Sequence, residues 1–183
     1  MNLIGLAGRA GAGKSLVASM LPGHRVIGLA DPLYAGLSVM LGVDVGDLRD
    51  RAFKERAIPW LGRSPRELLQ TLGTDWGRDL VADDLWVTLA RRRIAGLLEQ
   101  GVGVAVGDVR FANEARMIRE LGGEVWLVVR PGAETTPHSH RSENGLPDDL
   151  IDRVVVNDCD IDELRRRVRA IHQEAADATA DAA

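Results

Sequence analysis

Between Gly8 and Ser15 the chain reads Gly-Arg-Ala-Gly-Ala-Gly-Lys-Ser, three glycines closing on a lysine and a hydroxyl. No other stretch restricts the fold as strongly. Glycines at this density suit a backbone that takes conformations closed to other residues and lets a foreign group approach its amides. The apolar run Leu3–Leu6 precedes the stretch and the helically spaced run Ser15–Leu21 follows it, so it joins a buried strand to a helix. In that setting the pattern G-x-x-x-x-G-K-[ST] is a cradle for polyphosphate, lined by backbone N–H groups, with Lys14 reaching the β and γ oxygens and Ser15 placed to coordinate Mg²⁺. Gly8, Gly11, Ala12, Gly13, Lys14 and Ser15 are therefore candidate triphosphate-binding residues.

The rest of the chain repeats the alternation of strand and helix. Val26–Ala30 reads as a second buried strand, and Asp31-Pro32 opens a helix, which puts Asp31 at a strand's carboxyl end. From Leu48 to Leu98 the pattern is helical and arginine-rich, broken near Pro59 and Pro65, with Ser64 capping a helix that begins at Pro65. Val102–Val106 is a strand running on to Asp108, Asn113–Leu121 a helix closed by Gly122-Gly123, and Val125–Val129 the next strand. Pro131–Asp149 lacks an apolar period and reads as a loop or lid; Val154–Val156 is a last strand and Ile161–Ala175 a last helix. This order implies an α/β fold of three layers, a mainly parallel five-stranded sheet covered by helices on both faces. It forms one domain over residues 1–176, with a helical insertion at about 32–98, the lid at about 131–149 and a fraying tail at 177–183. Ligands of such sheets bind beyond the carboxyl ends of the strands, a rim that includes Gly8, Asp31, Asp108 and Arg130.

Composition narrows the partners. The 183 residues carry a net charge of -4, without the basic footprint that holds proteins on nucleic acid polymers. No apolar run of membrane-spanning length occurs, and the opening MNLIGLAG lacks an export signal, so a soluble cytoplasmic protein is expected. Cys159 is the single cysteine, which excludes an internal disulfide and a cysteine-based zinc site. A homodimer is left open.

Triphosphate binding alone leaves kinases, ATPases and switch GTPases. No N-K-x-D base-recognition motif is present, which favours ATP. Asp108 is placed to orient Mg²⁺ opposite Ser15; its alternative is to cap the following helix. Arg110, two residues on, offers planar charge-assisted hydrogen bonds to a phosphoryl group in transfer. In SPRELLQTLGTDWGRDLVADDLW, Arg66, Gln70 and Thr74 recur every four residues along one helical stripe, which Arg78 extends if the helix continues through Gly73 and Gly77. Guanidinium, amide, hydroxyl and the Asp75 carboxylate together suit a ligand bearing both a phosphate and a base; a solvated helix face is the alternative.

Taken in order, GRAGAGKS, ADPLY, LLQTLGTDWGRD with LWV, DVRFANEA and HRSENGL resemble the bacteriophage deoxynucleoside monophosphate kinases, over most of the chain. The resemblance implies the nucleoside monophosphate kinase variant of the P-loop fold and Mg²⁺-assisted transfer of the ATP γ-phosphate to a deoxynucleoside 5′-monophosphate. By motif, Gly8–Ser15 hold the ATP phosphates, Asp31 and the segment Gln70–Arg78 face the monophosphate, and Asp108 and Arg110 serve the reaction centre with Lys14; Arg66 joins the monophosphate side by its spacing alone. HRSENGL places His140, Ser142 and Glu143 in a loop where Arg130 and Arg141 would close over phosphates. Asn157 falls where related kinases pass a loop beside the adenine, although asparagine also favours turns. The long arginine-rich lid of adenylate kinases is not evident. The rival readings are another small-molecule P-loop kinase, acting on dephospho-coenzyme A or a nucleoside, and a non-catalytic ATP-binding regulatory module.

Overall fold

A computed structural model of the chain describes residues 2–132 and 146–181. Five strands, β1 (Leu3–Ala7), β2 (His24–Ile27), β3 (Gly103–Val109), β4 (Glu124–Val129) and β5 (Arg153–Val156), form one sheet in the order β2-β3-β1-β4-β5. Every pairing is parallel. Parallel neighbours need crossovers long enough to hold a helix, so the central strands are covered on both faces and read as unbroken apolar runs. β1 is buried along its whole length.

Alternation along β1 separates the two covering layers. Ile4 and Leu6 share a core with Val17 and Ala18 of α1 (Lys14–Met20) and with Leu164 and Val168 of α8 (Ile161–Asp181). Gly5, pointing the opposite way, faces Ile118 of α7 (Ala112–Glu120), whose Cδ1 would lie 2.4 Å from an added Cβ. Helix, sheet and helix are thereby stacked in three layers. Trp126 fills the α1 and α8 side and is fully buried.

The chain divides into two compact units, Met1–Gly28 with Ala90–Ala183, and Leu29–Leu89. The first holds the sheet. The second holds α2 (Asp31–Leu41), α3 (Val45–Arg49), α4 (Arg51–Glu55), α5 (Pro65–Gln70), a π-helical segment Thr71–Val81 and the start of α6 (Leu85–Glu99). Leu37, Leu48 and Leu69 are its buried centre, ringed by Leu33, Tyr34, Phe53 and Leu72. Ser64 opens α5 as expected, its hydroxyl accepting from the Glu67 amide while the Glu67 carboxylate accepts from the Ser64 amide at 2.7 Å. That reciprocal pair satisfies two amides at the helix end.

Three expectations shift. The second strand lies at His24–Ile27 rather than Val26–Ala30, because the backbone of polar His24 and Arg25 pairs with Gly103 and Val104 at the sheet edge. Asp31 consequently begins α2 instead of ending a strand. The last helix runs to Asp181, six residues beyond Ala175, through the strong helix former alanine. Among the described residues no helix is long and apolar enough to cross a membrane.

Candidate active site

The sheet order marks out one rim for the candidate site. After β1 the chain leaves toward β2, and after β3 it crosses to β4 on the other side, so the connections part between β1 and β3. Open parallel sheets bind ligands beyond their carboxyl ends at such a divergence. Gly8–Ser15 follow β1 there, and Asp108 and Arg110 stand at the end of β3.

The loop takes the conformation its glycines were expected to allow. Gly8 and Gly13 have φ of +133° and +100°, in the region that side-chain-bearing residues avoid. A Cβ at Gly8 would also stand 2.3 Å from the Val128 carbonyl oxygen of β4, so backbone meets backbone. The Ala12 amide donates to the Arg9 carbonyl at 3.2 Å and closes the turn. Lys14, the first residue of α1, folds its ammonium back over the loop and donates to the Gly8 and Arg9 carbonyls at 2.6 and 2.9 Å. Ser15 is exposed beside it.

Between Gly5–Ala7 and Val106–Val109 the β1–β3 register slips, so β3 carries one extra residue at Gly107-Asp108. Such slips re-aim side chains near sites. Asp108 is half-buried. Capping α7 falls to Glu114, a buried carboxylate that accepts from the amides of Arg110 and Phe111 at 2.8 and 3.0 Å. Glu114 thus shapes the backbone at Arg110, whose side chain is exposed. Its signal in the sequence is weak, because position 111 is Phe and the Ser or Thr of a capping box is missing.

Asn157 lies within hydrogen-bond reach of the loop. It is 8% exposed, and its side-chain amide donates to the Ala12 carbonyl at 2.9 Å. Arg130 is exposed just past β4. Arg141, with His140, Ser142 and Glu143, lies outside the described residues.

In the second unit the residues of the expected four-residue stripe span two kinds of helix. Arg66 and Gln70 lie on α5, but Thr74, Asp75 and Arg78 belong to the π-helical Thr71–Val81. Trp86 accompanies the π-helical turn: its indole N–H donates to the Gly73 carbonyl at 2.7 Å, and its ring covers Gly77. Gln70, Thr74 and Asp75 are exposed and Arg78 is half-buried. Arg66 pairs with Glu55 at 2.5 Å and Asp31 with Arg49 at 2.6 Å. Arg66 holds the Glu55 carboxyl below its ordinary range, chiefly through their hydrogen bond.

The sequence profile of the deoxynucleotide monophosphate kinases matches residues 52–168, more than half of the chain. A protein of Acanthamoeba polyphaga mimivirus that carries a provisional deoxynucleotide monophosphate kinase name is 31% identical over 92% of this chain and 94% of its own. The deoxynucleoside-5′-monophosphate kinase of Escherichia phage T5 is 38% identical over 58% of this chain, and the match spans 44% of the phage protein. Among solved structures, dephospho-CoA kinase from Campylobacter jejuni superposes with a TM-score of 0.54 at 12% identity, covering 97% of this chain and 98% of that one. That likeness concerns the fold. On the profile and the full-length mimivirus match, the chain belongs to the deoxynucleotide monophosphate kinase family.

Proposed function

We propose that this protein transfers the γ-phosphoryl group of ATP to a deoxynucleoside 5′-monophosphate. A phosphate oxygen of the acceptor attacks the γ phosphorus, the bond to the β-bridging oxygen breaks, and ADP leaves beside the new deoxynucleoside diphosphate. The observation that carries the reading is the loop after β1, whose left-handed glycines and inward-folded Lys14 form a polyphosphate cradle in a chain of this family.

The acceptor is already anionic, so the reaction needs no strong general base; positioning and charge neutralisation supply the catalysis. Phosphate oxygens replace the Gly8 and Arg9 carbonyls as partners of the Lys14 ammonium, and the exchange is favourable because both partners are then charged. Ser15 and Asp108 are hard oxygen donors of the kind Mg²⁺ takes. Among the described residues no group of three or more His, Cys, Asp or Glu could hold a metal, so Mg²⁺ would draw its remaining ligands from phosphates and water. Held by Ser15 and Asp108, Mg²⁺ would supply neutralisation of the triphosphate's charge. Arg110 and Arg130, exposed at the strand ends, are suited to the transferring group, with Arg141 as a further guanidinium.

The acceptor is assigned to Gln70, Thr74, Asp75 and Arg78, which combine a cation for phosphate with donors and acceptors for a base. Asp31 and Arg66 join them by exchanging partners. Exposed ion pairs contribute only about 0–1 kcal/mol, so releasing Arg49 or Glu55 to a ligand costs little. Dependence on ATP supports a cytoplasmic activity, that of the host for a phage-encoded chain.

A coupled assay of ADP release across deoxynucleoside and ribonucleoside monophosphates tests the proposal. ADP release should depend on a deoxynucleoside monophosphate. Release that ignores every monophosphate, or that requires dephospho-coenzyme A or a nucleoside, would overturn it.

A further inference from the structure

We propose that Asn157 is a positioning residue of the phosphate loop, holding the Ala12–Gly13 peptide so that the Gly13 N–H is turned toward the phosphates. The proposal rests on reading this loop as the triphosphate site. Asn157 follows β5 and is tied to the sheet by its own amide, which donates to the Val129 carbonyl at 2.7 Å. Its side-chain amide is buried, at 8% exposure, and donates to the Ala12 carbonyl at 2.9 Å. In a planar trans peptide the C=O and the following N–H point in opposite directions. A carbonyl of Ala12 drawn inward to Asn157 therefore turns the Gly13 N–H outward, to the side on which a ligand sits. The contact extends to Gly13 itself: a Cβ there would meet the Asn157 amide nitrogen at 2.4 Å, and φ is +100°. Glycine at 13 and asparagine at 157 are thus two halves of one arrangement, 144 residues apart in a chain of 183. The sequence offers Asn157 as a contact to adenine or as a turn residue; its bond to Ala12 gives it a partner within the loop itself.

Tripolyphosphate, which carries the phosphates of ATP but no base, separates the two roles. Dissociation constants for ATP and tripolyphosphate are measured on wild-type protein, Asn157→Ala and the isosteric Asn157→Asp, which lacks the donor. Loss of one hydrogen bond that sets a binding amide should weaken both ligands by the same factor, about five- to tenfold, and leave KM for the monophosphate unchanged. Weakening of ATP alone would make Asn157 a base contact and overturn the proposal, as would variants that bind both ligands like wild type. Should Asn157→Ala fail to fold, Asn157→Asp carries the comparison. A third measurement needs no variant: the Gly13 amide proton of the wild-type protein should move downfield on adding tripolyphosphate, and an unmoved resonance would refute the assignment. Wild-type protein that binds neither ligand would overturn the phosphate-loop reading, and this proposal with it.

Discussion

Gly73 and Gly77 lie four residues apart in the π-helical segment, yet the same substitution should have opposite consequences at the two. Neither has a positive φ, so alanine fits both backbones. Replacing glycine at a compatible position gains about 0.4–1 kcal/mol by restricting the unfolded chain. At Gly73 the new methyl would lie 3.3 Å from Leu33 Cδ1, the far end of a flexible side chain, and the gain survives. At Gly77 it would lie 2.4 Å from Trp86 Cζ2 and 2.7 Å from Cε2 and Nε1. Trp86 is 9% exposed and its indole N–H is held by the Gly73 carbonyl at 2.7 Å, so the ring cannot retreat and keep that bond. Overpacking costs about 1–3 kcal/mol and a lost hydrogen bond about 1 kcal/mol. Net of the chain-entropy gain, Gly77→Ala should lose about 1–3.5 kcal/mol while Gly73→Ala holds or gains up to about 1 kcal/mol. Urea unfolding followed by tryptophan fluorescence reads the difference from the midpoints at unchanged m. Equal losses, or a Gly77→Ala protein as stable as wild type, would refute the packing argument. In the native Gly77→Ala protein the displaced backbone carries Arg78 with it, so KM for the monophosphate should rise while KM for ATP holds.

Lys14→Ala should lower kcat by about 10²–10³, the usual loss on deleting one group that stabilises transition-state charge, with an unchanged circular dichroism spectrum. Arg78→Ala should raise KM for the monophosphate more than KM for ATP, and equal increases in steady-state assays would remove Arg78 from the acceptor site. Acid should weaken the second unit in a defined direction. The Glu67 carboxyl is held below its ordinary range, first by the Ser64 amide and then by Arg63 and the Ser64 hydroxyl, and Glu55 is lowered by Arg66. A depressed carboxylate contributes stability above its unfolded pKa and loses it as pH falls through the lowered folded value. Urea midpoints should therefore stay level from neutral pH to about pH 5 and decline below it. The Glu55→Gln, Glu67→Gln double variant should show a shallower decline.

The sheet was legible because a parallel strand buried on both faces must be an apolar run, and Leu3–Leu6, Val102–Val106 and Val125–Val129 each overlap an observed strand. β2 was displaced because an edge strand needs only its backbone on one side: His24 and Arg25 pair with β3 while Val26 stays 50% exposed. The strand, glycine turn and helix around Gly8–Ser15 were legible, since glycine spacing and the flanking apolar runs are all local. The π-helical turn was not, because its partner Trp86 lies beyond the segment and a spacing of four does not distinguish π from α pitch. Asn157 and Ala12 are joined only by the fold, as are Asp31 and Arg49. Glu114 caps α7 without the residue type that advertises such a cap.

The central claim is the fate of the γ-phosphoryl group. Protein incubated with γ-labelled ATP, Mg²⁺ and each deoxynucleoside monophosphate in turn, with products separated by ion-exchange chromatography, follows that group directly. Label should appear in a deoxynucleoside diphosphate, at a rate nearly abolished in Lys14→Ala. Label released only as inorganic phosphate, or retained in ATP with every acceptor, would contradict the account.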